Sequence, residues 1–81
     1  MDRDELKRQL DGLGVYPGFY SLNGELLPDR IVLYENYGKW EVFYFDERGN
    51  REKQRFFRSE NEACKYIYEY FKKTLLKPKD S

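Results

Sequence analysis

Histidine is absent from this chain, cysteine occurs once and proline three times in 81 residues. Histidine is the side chain whose unperturbed pKa falls near neutrality, and it is the commonest metal ligand. Without it, most hydrolytic triads and most zinc sites are excluded. Cys64 has no partner, so no intrachain disulfide forms, which fits a reducing compartment. No apolar run approaches the roughly 18 residues of a membrane span. The opening Met1-Asp2-Arg3-Asp4-Glu5 is too charged for a secretory h-region. The expectation is a soluble cytoplasmic protein that needs no metal or cofactor.

Aromatic residues fill the space these absences leave: eight tyrosines, six phenylalanines and one tryptophan. Each buries about 150–250 Å², which a short chain needs to hold a core. The expected organisation is one compact domain over residues 1–76 and a flexible tail over 77–81. Formal charge is zero in total but unevenly spread. Residues 1–47 carry five basic against ten acidic side chains, and residues 48–81 ten basic against five acidic. The asymmetry either steers a charged partner or is neutralised within the fold.

Local signals give an α+β order, α-β-β-β-α. Asp2 caps a leading helix in which Leu6, Leu10 and Leu13 follow helical spacing, and Gly12 or Gly14 ends it. Residues 15–24 are rich in turn residues and aromatics. Strands are expected over 30–35, 40–45 and 51–57, with glycine-containing turns between them. The last helix starts with a Ser59–Glu62 capping box and carries Ala63, Ile67, Phe71 and Leu75 on one face, with Pro78 as its stop. The result is a three-stranded antiparallel meander with the two helices packed on one face. Trp40, Val42 and Tyr44 then lie beneath the helices, and Glu41, Phe43 and Phe45 face the other way. That second aromatic face is covered by residues 16–27, by a partner, or partly by each.

Catalytic groups are scarce. Ser21 and Ser59 lack a histidine, Cys64 sits among apolar helix positions, and Asp46-Glu47 reads as turn chemistry. No catalytic, metal or cofactor site emerges, so the chain reads as a binder and not an enzyme. Nucleic acid is one candidate partner. The element order is that of the double-stranded RNA-binding domain, and Gly38-Lys39-Trp40 with Ser59-Glu60-Asn61-Glu62-Ala63 resembles the plant APETALA-type DNA-binding domain. Both resemblances break where phosphate contacts belong. Ser59-Glu60-Asn61-Glu62 replaces a lysine cluster, and Glu35, Glu41, Asp46 and Glu47 line the first hairpin. Only the third strand is basic, with Arg48, Arg51, Lys53, Arg55 and Arg58 in and around it.

Four pieces in order carry a further resemblance: Tyr20-Ser21-Leu22-Asn23-Gly24, Trp40-Glu41-Val42-Phe43-Tyr44, Glu47-Arg48-Gly49-Asn50, and Phe57-Arg58-Ser59-Glu60-Asn61-Glu62-Ala63-Cys64. With the leading helix they resemble small bacterial immunity-type proteins encoded beside secreted polymorphic toxins. The toxins associated with such neighbours include NAD glycohydrolases of the tuberculosis-necrotizing type. Phe45 departs from the small polar residue expected at its position, and residues 77–81 lie outside the match. The resemblance implies a cytoplasmic antidote that binds a cognate toxin domain and blocks its active site, monomeric or weakly dimeric when free. An acidic hairpin can imitate the charge of a nucleotide substrate, and aromatics favour interface cores. The expected contacts are Glu35, Tyr37, Glu41, Phe43, Asp46 and Glu47. A small nucleic-acid-binding domain using the basic third strand is the alternative.

Overall fold

A computed structural model describes residues 1–76 of the chain. The expected tail and the Pro78 stop lie outside the described residues. Asp2 opens α1 (Arg3–Leu13), its carboxylate accepting the Glu5 N–H at 2.8 Å. Gly14 closes the helix. At φ 80° its N–H bonds Asp11 O at 3.0 Å, and Val15 N–H reaches Leu10 O at 3.0 Å. This is a Schellman closure, so of the two expected glycines Gly14 is the one that serves. Ser59 caps α2 (Glu60–Leu76) by accepting the Glu62 N–H at 3.2 Å, while its hydroxyl donates to Glu62 Oε1 at 3.3 Å.

The sheet has four strands, not three. β1 (Tyr20–Ser21), β2 (Arg30–Asn36), β3 (Lys39–Phe45) and β4 (Arg51–Phe57) lie in that order. The antiparallel meander is present as β2-β3-β4. The added strand pairs parallel to β2, with Tyr20 opposite Ile31 and Ser21 opposite Val32. Two residues are too few to show a period of two, and a Pro17–Phe19 turn of 3₁₀ helix runs straight into them. That is why the sequence pattern hides this strand and yields a purely antiparallel sheet.

Both helices share one face of the sheet. Leu6 and Leu10 from α1 join Ala63, Cys64, Ile67 and Phe71 from α2 in a single buried cluster with Ile31, Leu33 and Val42. Trp40, Tyr44 and Phe57 pack against its margin, where Trp40, Val42 and Tyr44 were expected. Arg3 fastens the two helix starts together. Its Nε donates to Glu60 Oε2 at 3.2 Å, its own N–H donates to the same oxygen at 2.9 Å, and its guanidinium lies 5.5 Å from the Trp40 ring.

Among the described residues no helix covers the second face, yet Val32 and Phe43 on it are fully buried. The chain seals it in two ways. The 22–29 connection crosses it, so closely that a methyl on Gly24 would come within 3.2 Å of Tyr34 Cδ2. Arg51 closes the remainder, its guanidinium 4.7 Å from the Phe43 ring and 5.6 Å from the Tyr34 ring. Thus part of the 16–27 segment does cover this face, and a side chain of β4 completes the seal.

Candidate protein-docking surface

The β2–β3 hairpin turns through two residues, because Asn36 pairs with Lys39. Tyr37 at φ 52° and Gly38 at φ 79° both occupy the left-handed region, as a type I′ turn requires. Such turns favour Asn-Gly or Asp-Gly, since an ordinary side chain at positive φ is strained. Here the first position holds a tyrosine that is 97% exposed. Glu35 fixes the turn by accepting the Gly38 N–H at 3.1 Å. The tip is therefore an ordered platform carrying a free aromatic ring.

A second exposed ring lies on the neighbouring strand. Phe56, 68% exposed, sits opposite Glu41 on the second face. A shallow groove of about 480 Å³ runs beside the hairpin tip, lined by Gly38, Lys39, Phe56, Phe57 and Arg58. This end of the sheet combines aromatic surface, two cations and the Glu35 carboxylate. Aromatics and arginine are the groups enriched where proteins meet.

The six expected contacts do not form one site. Glu35 and Tyr37 stand together at this end. Glu41 lies below them, half-buried and engaged: Gln54 Nε2 donates to Oε2, and Arg51 Nη1 lies 3.7 Å from Oε1. Asp46 and Glu47 occupy the opposite turn. At about 3.4 Å per residue the seven steps from Lys39 to Asp46 span roughly 24 Å. Asp46 is occupied there, accepting the Arg48 N–H at 2.9 Å and the Asn50 N–H at 2.8 Å. Those donors, Asn50 first, hold its carboxyl below the usual carboxylate range. Phe43, expected at the contact surface, has 1% of its surface exposed and lies beneath Arg51 in this structure.

The expected contacts leave out Phe56, and sequence reasoning takes Lys39 and Arg58 only as nucleic-acid features. Phe56 and Phe57 read as one apolar pair, and only the pairing of Phe57 with Trp40 places Phe57 against the helices and Phe56 outside. Among the described residues no cluster of Cys, Asp and Glu is placed to hold a metal ion, and no helix is long and apolar enough to cross a membrane. Burial pushes the Cys64 thiol up to about 11. A thiol so raised and fully enclosed is a core group and not a nucleophile. Comparison of the chain with family models, curated proteins and solved structures gives no match.

Proposed function

We propose that this protein is a cytoplasmic immunity-type antidote, which neutralises a cognate toxin domain by docking the Tyr37 end of its sheet over the toxin's active cleft. The observation that carries the reading is Tyr37 itself, 97% exposed at a turn position that disfavours it. An aromatic ring held away from the protein's own core on a defined backbone turn offers apolar area for a partner to bury, with only its two side-chain torsions left to order. Phe56 and Arg58 extend the anchor into a patch of aromatic surface and mixed charge, with Lys39 and Glu35 beside it. A standard interface takes about 800 Å² from each partner, which a sheet end and hairpin of this size can provide. The motif order that resembles that of immunity-type proteins is the second ground for this reading.

The decisive experiment is a binding titration against the toxin domain encoded beside the gene, using Tyr37→Asn. Asparagine suits the turn, so the variant keeps the fold while removing the ring. Loss of an interface anchor costs at least about 2 kcal/mol, roughly thirtyfold in affinity, and protection in cells falls with it. Unchanged affinity overturns the choice of surface. A basic β4, with Arg51, Lys53 and Arg55 all exposed, favours nucleic acid as the second reading. Binding of duplex DNA or RNA with a steep salt dependence, without toxin binding, establishes that reading instead.

A further inference from the structure

The strand β4 does not run straight beside β3. Val42 faces Arg55 and Tyr44 faces Glu52, so Phe43 is opposed by two residues, Lys53 and Gln54. Lys53, at φ 56°, is the left-handed residue of this bulge. In a regular strand consecutive side chains point to opposite faces. Here Glu52, paired with Tyr44 on the helix face, and the bulge residue Lys53 both border one cleft of about 250 Å³ between β4 and α2, whose lining also takes in Phe43 opposite the bulge. Bulges are over-represented beside binding and active sites.

The rest of the cleft is graded from dry to wet. Val42 at its base is buried, Tyr44, Tyr66 and Tyr70 are half-buried, and Glu52 and Lys53 are exposed at the mouth. The Tyr44 hydroxyl is committed to Asp29 Oδ1 at 2.8 Å, so this tyrosine offers the cleft its ring. Tyr66 is braced on Phe57 at 5.3 Å and Tyr70 on Phe71 at 5.2 Å between ring centroids. An aromatic-walled cavity with the Glu52 carboxylate, which lies beside Asp46, and the Lys53 ammonium at its mouth selects a small ligand with an apolar body and both charges. The volume is below the roughly 300–1,000 Å³ of pockets that take drug-sized molecules, so it fits one ring or one branched chain.

We propose that this cleft binds a free α-amino acid with an aromatic or branched side chain. Lys53 pairs with its carboxylate, Glu52 pairs with its ammonium, and the side chain enters between the tyrosines. A residue at the end of a peptide is a poorer match, because a C-terminal residue has no free ammonium and an N-terminal one no free carboxylate. The site lies on the helix side of the sheet and is independent of the docking proposal.

The test is an amide-resolved NMR titration of the full chain with L-phenylalanine, N-acetyl-phenylalanine and phenylalaninamide. Phenylalanine is expected to give saturable shifts at Tyr44, Glu52, Lys53, Tyr66 and Tyr70, with a Kd in the micromolar-to-millimolar range usual for so few atoms. Each capped analogue should bind about tenfold more weakly, one pairing lost costing about that factor. Lys53→Gly, which keeps the left-handed backbone, should weaken phenylalanine about tenfold and leave phenylalaninamide unchanged. Glu52→Gln should weaken phenylalanine similarly and leave N-acetyl-phenylalanine unchanged. Absence of saturable shifts up to about 20 mM phenylalanine overturns the proposal. So does Lys53→Gly binding phenylalanine like wild type. N-acetyl-phenylalanine matching phenylalanine also overturns it, by assigning the cleft to a peptide C-terminus.

Discussion

Replacing Phe43 by alanine separates a folding role from a binding role. The ring is 1% exposed and lies on the sheet face that no helix covers among the described residues. Removing a buried phenylalanine costs about 3–5 kcal/mol, part transfer and part cavity. The face above it can collapse only as far as Arg51 and the 22–29 connection move. The Arg51 guanidinium, 4.7 Å from the ring, also loses its contact, worth about 0.5–1 kcal/mol at a partly exposed site. Domains of this length hold about 4–12 kcal/mol in all. Phe43→Ala therefore removes between a third and all of the stability.

Urea unfolding measures the loss. With a slope near 1 kcal/mol/M, as small domains show, the midpoint should fall by about 3.5–6 M or vanish. Phe56→Ala is the control, since it removes the same side chain from the same face at an exposed position. Its cost should stay within about 0.5 kcal/mol. Equal costs for the two variants refute the reasoning, because they would mean that the second face is not sealed over Phe43. If Phe43→Ala also weakens toxin binding, urea profiles assign that loss to unfolding, whereas Phe56→Ala reports on the interface directly.

Cys64 should resist an aromatic disulfide reagent at about pH 8, labelling only in step with urea-induced opening, because burial raises its thiol to about 11. Since that folded value lies above the unfolded thiol's roughly 8.5, Cys64 should also withdraw stability as pH rises through the interval between them. Asp46 behaves oppositely. Its folded pKa is depressed, so its contribution is present above the unfolded value near about 3.9 and is lost as pH falls through the lower folded one. Asp46→Ala should destabilise at about pH 7, and the difference from wild type should shrink as pH falls through the folded carboxyl's range, checked by urea midpoints along the acid range.

The helices and the meander are legible in the sequence because each carries its own local chemistry. Asp2 and Ser59 cap, Leu6 and Leu10 or Ala63 and Ile67 repeat at helical spacing, and Asn36-Tyr37-Gly38-Lys39 announces a hairpin. What escapes is set by pairing. The two-residue β1 is defined only by Ile31 and Val32 beside it. The bulge at Lys53 is invisible in Arg51-Glu52-Lys53-Gln54, because four polar residues in a row carry no alternation to show which face each takes. The surroundings of the candidate contacts escape for a related reason. Charge and aromatic content name Glu41, Phe43 and Asp46, but Arg51, Gln54 and Asn50 arrive from β4 and its turn to engage or cover them.

Three described residues other than glycine adopt positive φ: Asp29, Tyr37 and Lys53. Asp29 has a local account, because aspartate tolerates this conformation, its N–H bonds Phe45 O at 2.7 Å and its carboxylate receives the Tyr44 hydroxyl. Tyr37 and Lys53 have none, since neither side chain bonds its own turn or bulge, and each stands at one of the two proposed sites. Local rules broken without a structural return are expected where function sets the residue. Tyr37→Asn and Lys53→Gly should each then raise stability, by up to about 1 kcal/mol. The two sites lie more than about 10 Å apart by strand rise, so the gains should add within about 0.5 kcal/mol in the double variant. The double variant should be the most stable form of the chain, with weakened toxin binding and weakened amino-acid binding. If instead both substitutions destabilise, the tyrosine and the lysine are serving the fold, and the strain is no pointer to either site.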